Sequence, residues 1–327
     1  MAETPGSGGR DEAAGAGSGE SGSKFRGTLA PKTGKAAADT PNPAATSGRL
    51  RGTLRAKVPA DTSPAAPEVT PTSQYSEWAG QNQIAGVGAD QYGNARGSEY
   101  DLIQDGSVIE AKVVVLNLCS EEIKLDQPKA ALERKGFTLF ELRDCAGLSE
   151  RLADAAEFWI ISGRRRHLTP GALDAIVSFF HGGRGLYIWG DNDPYFVDAN
   201  LVLQRLFNVA MFGNSHGDQV VSMLTSGKTS GLVPGHLVTT GLVNIFEGIT
   251  IAEVPTTELL RPLVYGSNGR VVTAYFDHDG CRAIVDGGFT RLYYKWESAG
   301  TDRYIVNAAA WLLNIERFGG GSFRAGG

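Results

Sequence analysis

With 327 residues and a net charge of −5, the chain has the length for two domains and too little positive charge for a mainly nucleic-acid role. Its apolar runs fall far short of a membrane span, and Cys119, Cys145 and Cys281 are too few and too scattered for a disulfide framework or a CxxC metal site. Reduced thiols fit a cytoplasmic protein, and Met1-Ala2-Glu3-Thr4-Pro5-Gly6 lacks the basic and apolar regions of a signal peptide.

Residues 1–72 are mostly Gly, Ala, Ser, Pro and Thr with dispersed charge. Such a segment cannot bury enough apolar surface to offset its ordering entropy, so a long disordered tail is expected. Within it, Ser23-Lys24-Phe25-Arg26-Gly27-Thr28-Leu29 recurs as Gly48-Arg49-Leu50-Arg51-Gly52-Thr53-Leu54, and Lys32 and Lys57 follow the two copies. Paired short motifs in a flexible arm suit protein partners, because two weak contacts act together through effective concentration. Chance duplication in low-complexity sequence is the alternative. Lys24 to Lys57 holds eight basic residues against Asp39 alone, so an anionic partner or a solubilising arm would fit equally. Thr28 and Thr53 each follow an arginine by two positions, where phosphorylation could switch either role.

Residues 73–110 carry Tyr75, Trp78, Tyr92 and Tyr100 without periodicity. They read as an irregular lead-in whose aromatics pack on the domain surface.

From residue 111 to 318 apolar strands alternate with amphipathic helices, enough for one core of roughly 200 residues. Lys112 to Leu118 is a buried strand by its β-branched run. A helix from Asp126 to Lys135 ends at Gly136. Strands follow at Phe137 to Leu142 and Phe158 to Ser162, with a short helix between them over Leu148 to Ala156. Thr169-Pro170 supplies an N-cap and a first-turn proline for the next helix. Gly185-Leu186-Tyr187-Ile188-Trp189 is the central strand, and Pro194 is expected to open the helix after it. Val220 to His236 reads as irregular. Ile249 to Val254, Leu259 to Tyr265, Arg270 to Phe276 and Cys281 to Val285 are strands, the middle pair a hairpin turned at Gly266-Ser267-Asn268-Gly269. A helix from Asp302 to Arg317 closes the domain, and residues 319–327 are a frayed end. The fold class is α/β: a mainly parallel sheet with helices on both faces, a flavodoxin- or amidotransferase-like three-layer sandwich with a C-terminal hairpin.

In such sheets ligands bind outside the carboxyl ends of strands. The loop after the central strand, Gly190-Asp191-Asn192-Asp193, carries two carboxylates there, and Asp286-Gly287-Gly288-Phe289-Thr290 leaves a second strand that could lie alongside. Asp191, Asn192, Asp193, Asp286, Gly288 and Thr290 are therefore the cleft candidates. Asp191, Asp193 and Asp286 could hold a divalent cation through oxygen ligands, or one of the first two could cap the following helix. Arg164, Arg165 and Arg166, after the third strand, form a basic loop suited to an anionic ligand or an acidic partner, or simply a solvated run. Cys119 at a strand end would need a histidine nearby to act as a nucleophile; otherwise it is a small buried residue. Asp277-His278-Asp279 sits in a turn facing water, and His216 and His236 lack ligand spacing.

The order of elements, carried by Phe158-Trp159-Ile160-Ile161-Ser162-Gly163, Leu168 to Trp189, Val271 to Val285 and Asn307 to Leu312, resembles the class I glutamine-amidotransferase-like fold. Within that group it is most similar to the non-enzymatic branch, the amino-terminal domain of an intraflagellar-transport subunit and its bacterial relatives. The resemblance implies a nucleophilic cysteine after the central strand and a late His-x-Glu pair in the active members. Here the loop is Gly190-Asp191-Asn192-Asp193, and none of the five histidines is followed two residues later by Glu. Acyl transfer from glutamine needs both partners. The expectation is a non-catalytic binding or scaffold module with no cofactor and with protein partners at the tail and the sheet-edge loops. The alternative is a hydrolase or other enzyme using the acidic loops, with a divalent cation.

Overall fold

The computed structural model describes residues 88–119 and 123–314. The duplicated tail motif, Tyr75 and Trp78, and the expected frayed end lie outside these residues.

The elements run β1 (Lys112–Asn117), α1 (Asp126–Lys135), β2 (Thr138–Leu142), α2 (Leu148–Ala153), β3 (Glu157–Ile161), α3 (Pro170–His181), β4 (Gly185–Trp189) and α4 (Val197–Phe207). Then come β5 (Phe212–His216), β6 (Val220–Ser222), β7 (Gly231–Leu232), β8 (Asn244–Phe246), β9 (Thr250–Glu253), β10 (Leu260–Tyr265), β11 (Val271–His278), β12 (Cys281–Asp286) and α5 (Thr301–Leu312). The main sheet has eight strands in the order β2-β1-β3-β4-β12-β11-β10-β7. The first five are mutually parallel, and β11, β10 and β7 add antiparallel pairs at one side. Two short ribbons, β5 with β9 and β6 with β8, stand apart from it.

Alternation along buried parallel strands sends successive side chains to opposite faces. On one face Val113, Val115, Trp159, Ile161, Tyr187 and Trp189 pack with α1 and α5 through Leu132, Tyr304, Ile305 and Trp311. On the other, Val114, Leu116, Phe158, Ile160, Leu186 and Ile188 pack with α2, α3 and α4 through Leu152, Ile176, Phe179 and Val202. This is the three-layer arrangement expected from the alternating pattern.

Local signals set several boundaries. Gly136 takes the left-handed conformation (φ 99°) that closes α1, and the Thr169 hydroxyl accepts from the Ala172 amide at 3.2 Å ahead of Pro170. The region Val220–His236, expected to be irregular, contains β6 and β7, and α5 ends at Leu312 rather than Arg317. Charged contacts hold the described part of the lead-in. Arg303 donates to Asp101 and to the carbonyls of Gly241 and Gly97 at 2.8–2.9 Å, and buried Lys135 pairs with Asp101 and Asp105. No helix among the described residues is long and apolar enough to cross a membrane.

Glu157, at the start of β3, is fully buried; it accepts from the Trp159 indole at 3.0 Å, and Oε1 has no partner among the described residues. Burial lifts its carboxyl well above the usual 4.5, with the indole bond a smaller opposing effect. The folded state therefore keeps a proton that the unfolded chain releases. Its stabilising effect is complete below the unfolded value and is lost as pH rises toward the folded one, by up to about 1.4 kcal/mol per pH unit. Glu157→Gln should flatten the decline in stability above pH 4.5, measured by urea unfolding across pH; an unchanged slope would place the titration elsewhere.

Candidate functional site

The register sets Asp286, the last residue of β12, beside Trp189, the last of β4. From these ends the chain enters two loops that bond to each other: the Gly190 amide donates to the Asp286 carbonyl at 2.8 Å, and the Phe289 amide to the Gly190 carbonyl at 3.1 Å. The carboxyl edge of the central sheet is thus built from both loops together.

Asp286 is fully buried and saturated with donors. It accepts from the Gly288 amide (3.0 Å), Thr273 (3.1 Å), Tyr304 (3.1 Å) and Tyr187 (3.4 Å), and faces the Arg291 guanidinium at 3.3 Å. Tyr187 and Tyr304 are bonded to each other at 2.8 Å, and Trp189 stacks on Tyr187 with centroids 4.2 Å apart. Burial raises the Asp286 carboxyl, and Arg291 is the largest influence in the opposite direction. The Asp286 charge in turn holds the Arg291 proton against its own burial. A guanidinium does not give up its proton in a protein, so the pair is ionic, internally neutralised and sealed. Arg291 also donates to the Glu247 carbonyl at 2.8 Å, and the buried Glu247 carboxylate takes the Ser267 amide (2.6 Å) and hydroxyl (2.7 Å).

Asp191 is 1% exposed and turns inward. It accepts from the Asn192 amide at 2.8 Å, the Thr290 amide at 3.4 Å and the Thr250 hydroxyl. Burial pushes its carboxyl up to about 7, against the pull of these three donors, and the nearby Asp286 charge adds to the rise. Thr290 is bivalent here, since its hydroxyl accepts from the Ile249 amide at 2.7 Å. Asp193 behaves differently. Its side chain is exposed, while its amide donates to the Gly213 carbonyl at 3.0 Å. Asn192 lies at the rim and donates to Asn214 at 3.0 Å.

Of the residues picked out from sequence, Asp191, Asp286, Gly288 and Thr290 therefore meet at one sheet edge, Asn192 borders it, and Asp193 leaves it. Among the described residues no group of three His, Cys, Asp or Glu side chains could hold a metal ion. Neither Asp191 nor Asp193 caps the next helix, contrary to the capping expectation: α4 begins at Val197, after the cis Asp193–Pro194 peptide, and its N-cap Phe196 makes no side-chain cap bond. The Ser162 hydroxyl, arriving from the end of β3, instead accepts from the Asp198 and Ala199 amides at 3.0 and 3.3 Å. Arg164, Arg165 and Arg166 are exposed in the loop after β3, Arg164 lying over the Tyr195 ring at 5.9 Å. No disulfide joins the cysteines; Cys119 is buried, and Cys145 donates to the His167 carbonyl at 3.6 Å.

Tyr187, Thr250, Thr273, Arg291 and Tyr304 complete the site and escape sequence reasoning. Tyr187 sits in an apolar run that reads as core, and Arg291 in a loop where arginine normally faces solvent.

The inward and outward carboxylates should respond differently to removal. Asp191→Ala strips the acceptor from three donors and should cost about 1–3 kcal/mol, lowering the melting temperature by several degrees. Asp193→Ala should stay within about 0.5 kcal/mol of the parent. Equal losses in thermal melts of the two variants would contradict this geometry.

No family model matches the chain, and no curated protein matches it. Among solved structures it is similar to a ThuA-like protein from Bacteroides uniformis ATCC 8492, at 13% identity and a TM-score of 0.42 over 63% of this chain and 92% of the other. It is similar to a cytoplasmic protein from Salmonella typhimurium LT2, at 13% identity and a TM-score of 0.44 over 63% and 98%. An exo-β-1,4-mannosidase from Opitutaceae bacterium strain TAV5 aligns at 7% identity and a TM-score of 0.37 over 63% and 36%.

Proposed function

We propose that this chain is a non-catalytic binding or scaffold module of amidotransferase-like fold, acting in the cytoplasm and meeting protein partners through its tail motifs and sheet-edge loops. The observation that supports this most is the closure of the central strand-end loops by their own side chains. Asp286 and Arg291 neutralise each other in the interior, and Asp191 spends its acceptors on Thr250, Thr290 and the next amide. A reacting group has to reach its substrate, and these do not face solvent. Asp191-Asn192-Asp193 also stands where an amidotransferase would carry its cysteine, so acyl transfer has no nucleophile at that position.

Recognition then falls to the Arg164–Arg166 loop, which faces solvent, and to the two tail motifs, built on Phe25, Arg26, Thr28 and Leu29 and on Leu50, Arg51, Thr53 and Leu54. One observation favours a second reading, a hydrolase or other enzyme working through the acidic loops with a divalent cation. A carboxyl near 7, as in Asp191, is tuned for proton transfer at neutral pH.

Two measurements separate these readings. The purified chain should release no ammonia from glutamine, with or without Mg2+; release that disappears in Cys119→Ala or Asp191→Asn would overturn the binding reading. Deleting residues 1–72 should leave the melting temperature nearly unchanged and weaken partner capture. Arg26→Ala with Arg51→Ala should reproduce that loss, whereas either change alone should keep part of the binding. Undiminished capture by the double variant would reduce the repeat to sequence drift.

A further inference from the structure

The sheet order places the topological switch away from the central strand. From β1 the chain crosses to β2 on one side, and β3 then takes the other side of β1, so the order reverses between β1 and β3. The crevice outside the carboxyl ends of two such strands is where open α/β sheets receive ligands. The segment leaving β3 there is Ser162-Gly163-Arg164-Arg165-Arg166-His167.

Its backbone is fixed at both ends. Gly163 lies so close to the β1 exit that an added Cβ would come within 2.5 Å of the Leu118 carbonyl oxygen. At the other end the fully buried Asp198 carboxylate accepts the His167 and Leu168 amides, each at 2.9 Å, and takes the His167 ring through Nδ1 at 3.2 Å. Contact through Nδ1 leaves Nε2 as the ring nitrogen open to a ligand. The ring itself is nearly half exposed, and Nε2 has no partner among the described residues. Arg165 and Arg166 are exposed, form no ion pair among the described residues, and immediately precede His167 in sequence; Arg166 Nε reaches the Leu168 carbonyl at 3.5 Å.

We propose that Arg165, Arg166 and His167 form a binding site for a phosphate monoester group at the β1/β3 switch point. Guanidinium forks match the oxygens of a phosphate, and charge-assisted bonds of this type are the stronger ones. The imidazole completes the set in either protonation state. Its Nε2 accepts from a monoanionic ester or, once protonated, donates to the dianion. Asp198 is the positioning residue that holds both the ring and the loop. The site gives the sheet-edge loop of the binding-module reading a ligand class, and it rests on that reading only in expecting no turnover.

The test is a titration of the full chain followed through the His167 Cε1–H resonance, assigned by its loss in His167→Gln. Inorganic phosphate should shift the resonance saturably. Of a phosphoserine peptide and adenosine 5′-monophosphate, the one that binds more tightly identifies the source, and either supports the site. Arg165→Gln with Arg166→Gln should weaken binding at least about tenfold and leave the melting temperature unchanged, because both side chains are exposed. No saturable shift, or the same affinity in the double variant, would overturn the site while leaving the binding-module reading intact. Phosphate released from either ester would instead overturn the non-catalytic reading and leave the site standing.

Discussion

The ion pair between Asp286 and Arg291 is the constraint on which the carboxyl edge of this sheet depends. Both groups are fully buried, so neither could be left alone without a large desolvation cost, about 3–5 kcal/mol for a broken buried pair. The pair fixes more than itself. Arg291 draws the Phe289–Leu292 helical turn down onto the end of β12 and reaches the Glu247 carbonyl, while Asp286 gathers Tyr187 from β4, Thr273 from β11 and Tyr304 from α5. Three elements, β4, β11 and α5, are tied at one carboxylate. With that turn in place, Thr290 presents its amide to Asp191 and its hydroxyl to Ile249, which turns the loop after β4 inward.

A second polar junction organises the neighbouring edge. Ser162 at the end of β3 caps α4, and Asp198 in the first turn of α4 returns the contact by holding the loop that begins after Ser162. The exchange joins strand end, loop and helix without a local capping residue. Its consequence is a division of labour along one edge of the sheet. The β4/β12 loops spend their polar groups on one another, and the β3 loop keeps arginines and an oriented imidazole at the surface.

Much of the fold is legible in the sequence because its signals are local. Gly136 and Thr169-Pro170 mark helix ends, and short β-branched or aromatic runs mark β1, β3 and β4. Of the two ribbons only β9 is legible; β5, β6 and β8 are not, because they are short and their pairing, such as Val220 with Phe246, joins residues far apart in the chain. The site is half legible for the same reason. Asp191 and Asp286 follow from their places at strand ends, but nothing in Asp191-Asn192-Asp193 tells which carboxylate turns inward, since that is decided by Thr250 and Thr290. Tyr187, Arg291 and Tyr304 carry no sequence signal apart from the tertiary contact that gives them their roles.

The central claim is that the β4/β12 loops are a closed part of the core and not a cleft that opens. Native-state hydrogen exchange at the amides of Gly190, Gly288 and Phe289 tests it most directly, because each donates within the two loops. The expected result is exchange only through global unfolding, with the same free energy as the amides of β4 and β12. Exchange through a local opening, orders of magnitude faster than in those strands, would contradict it.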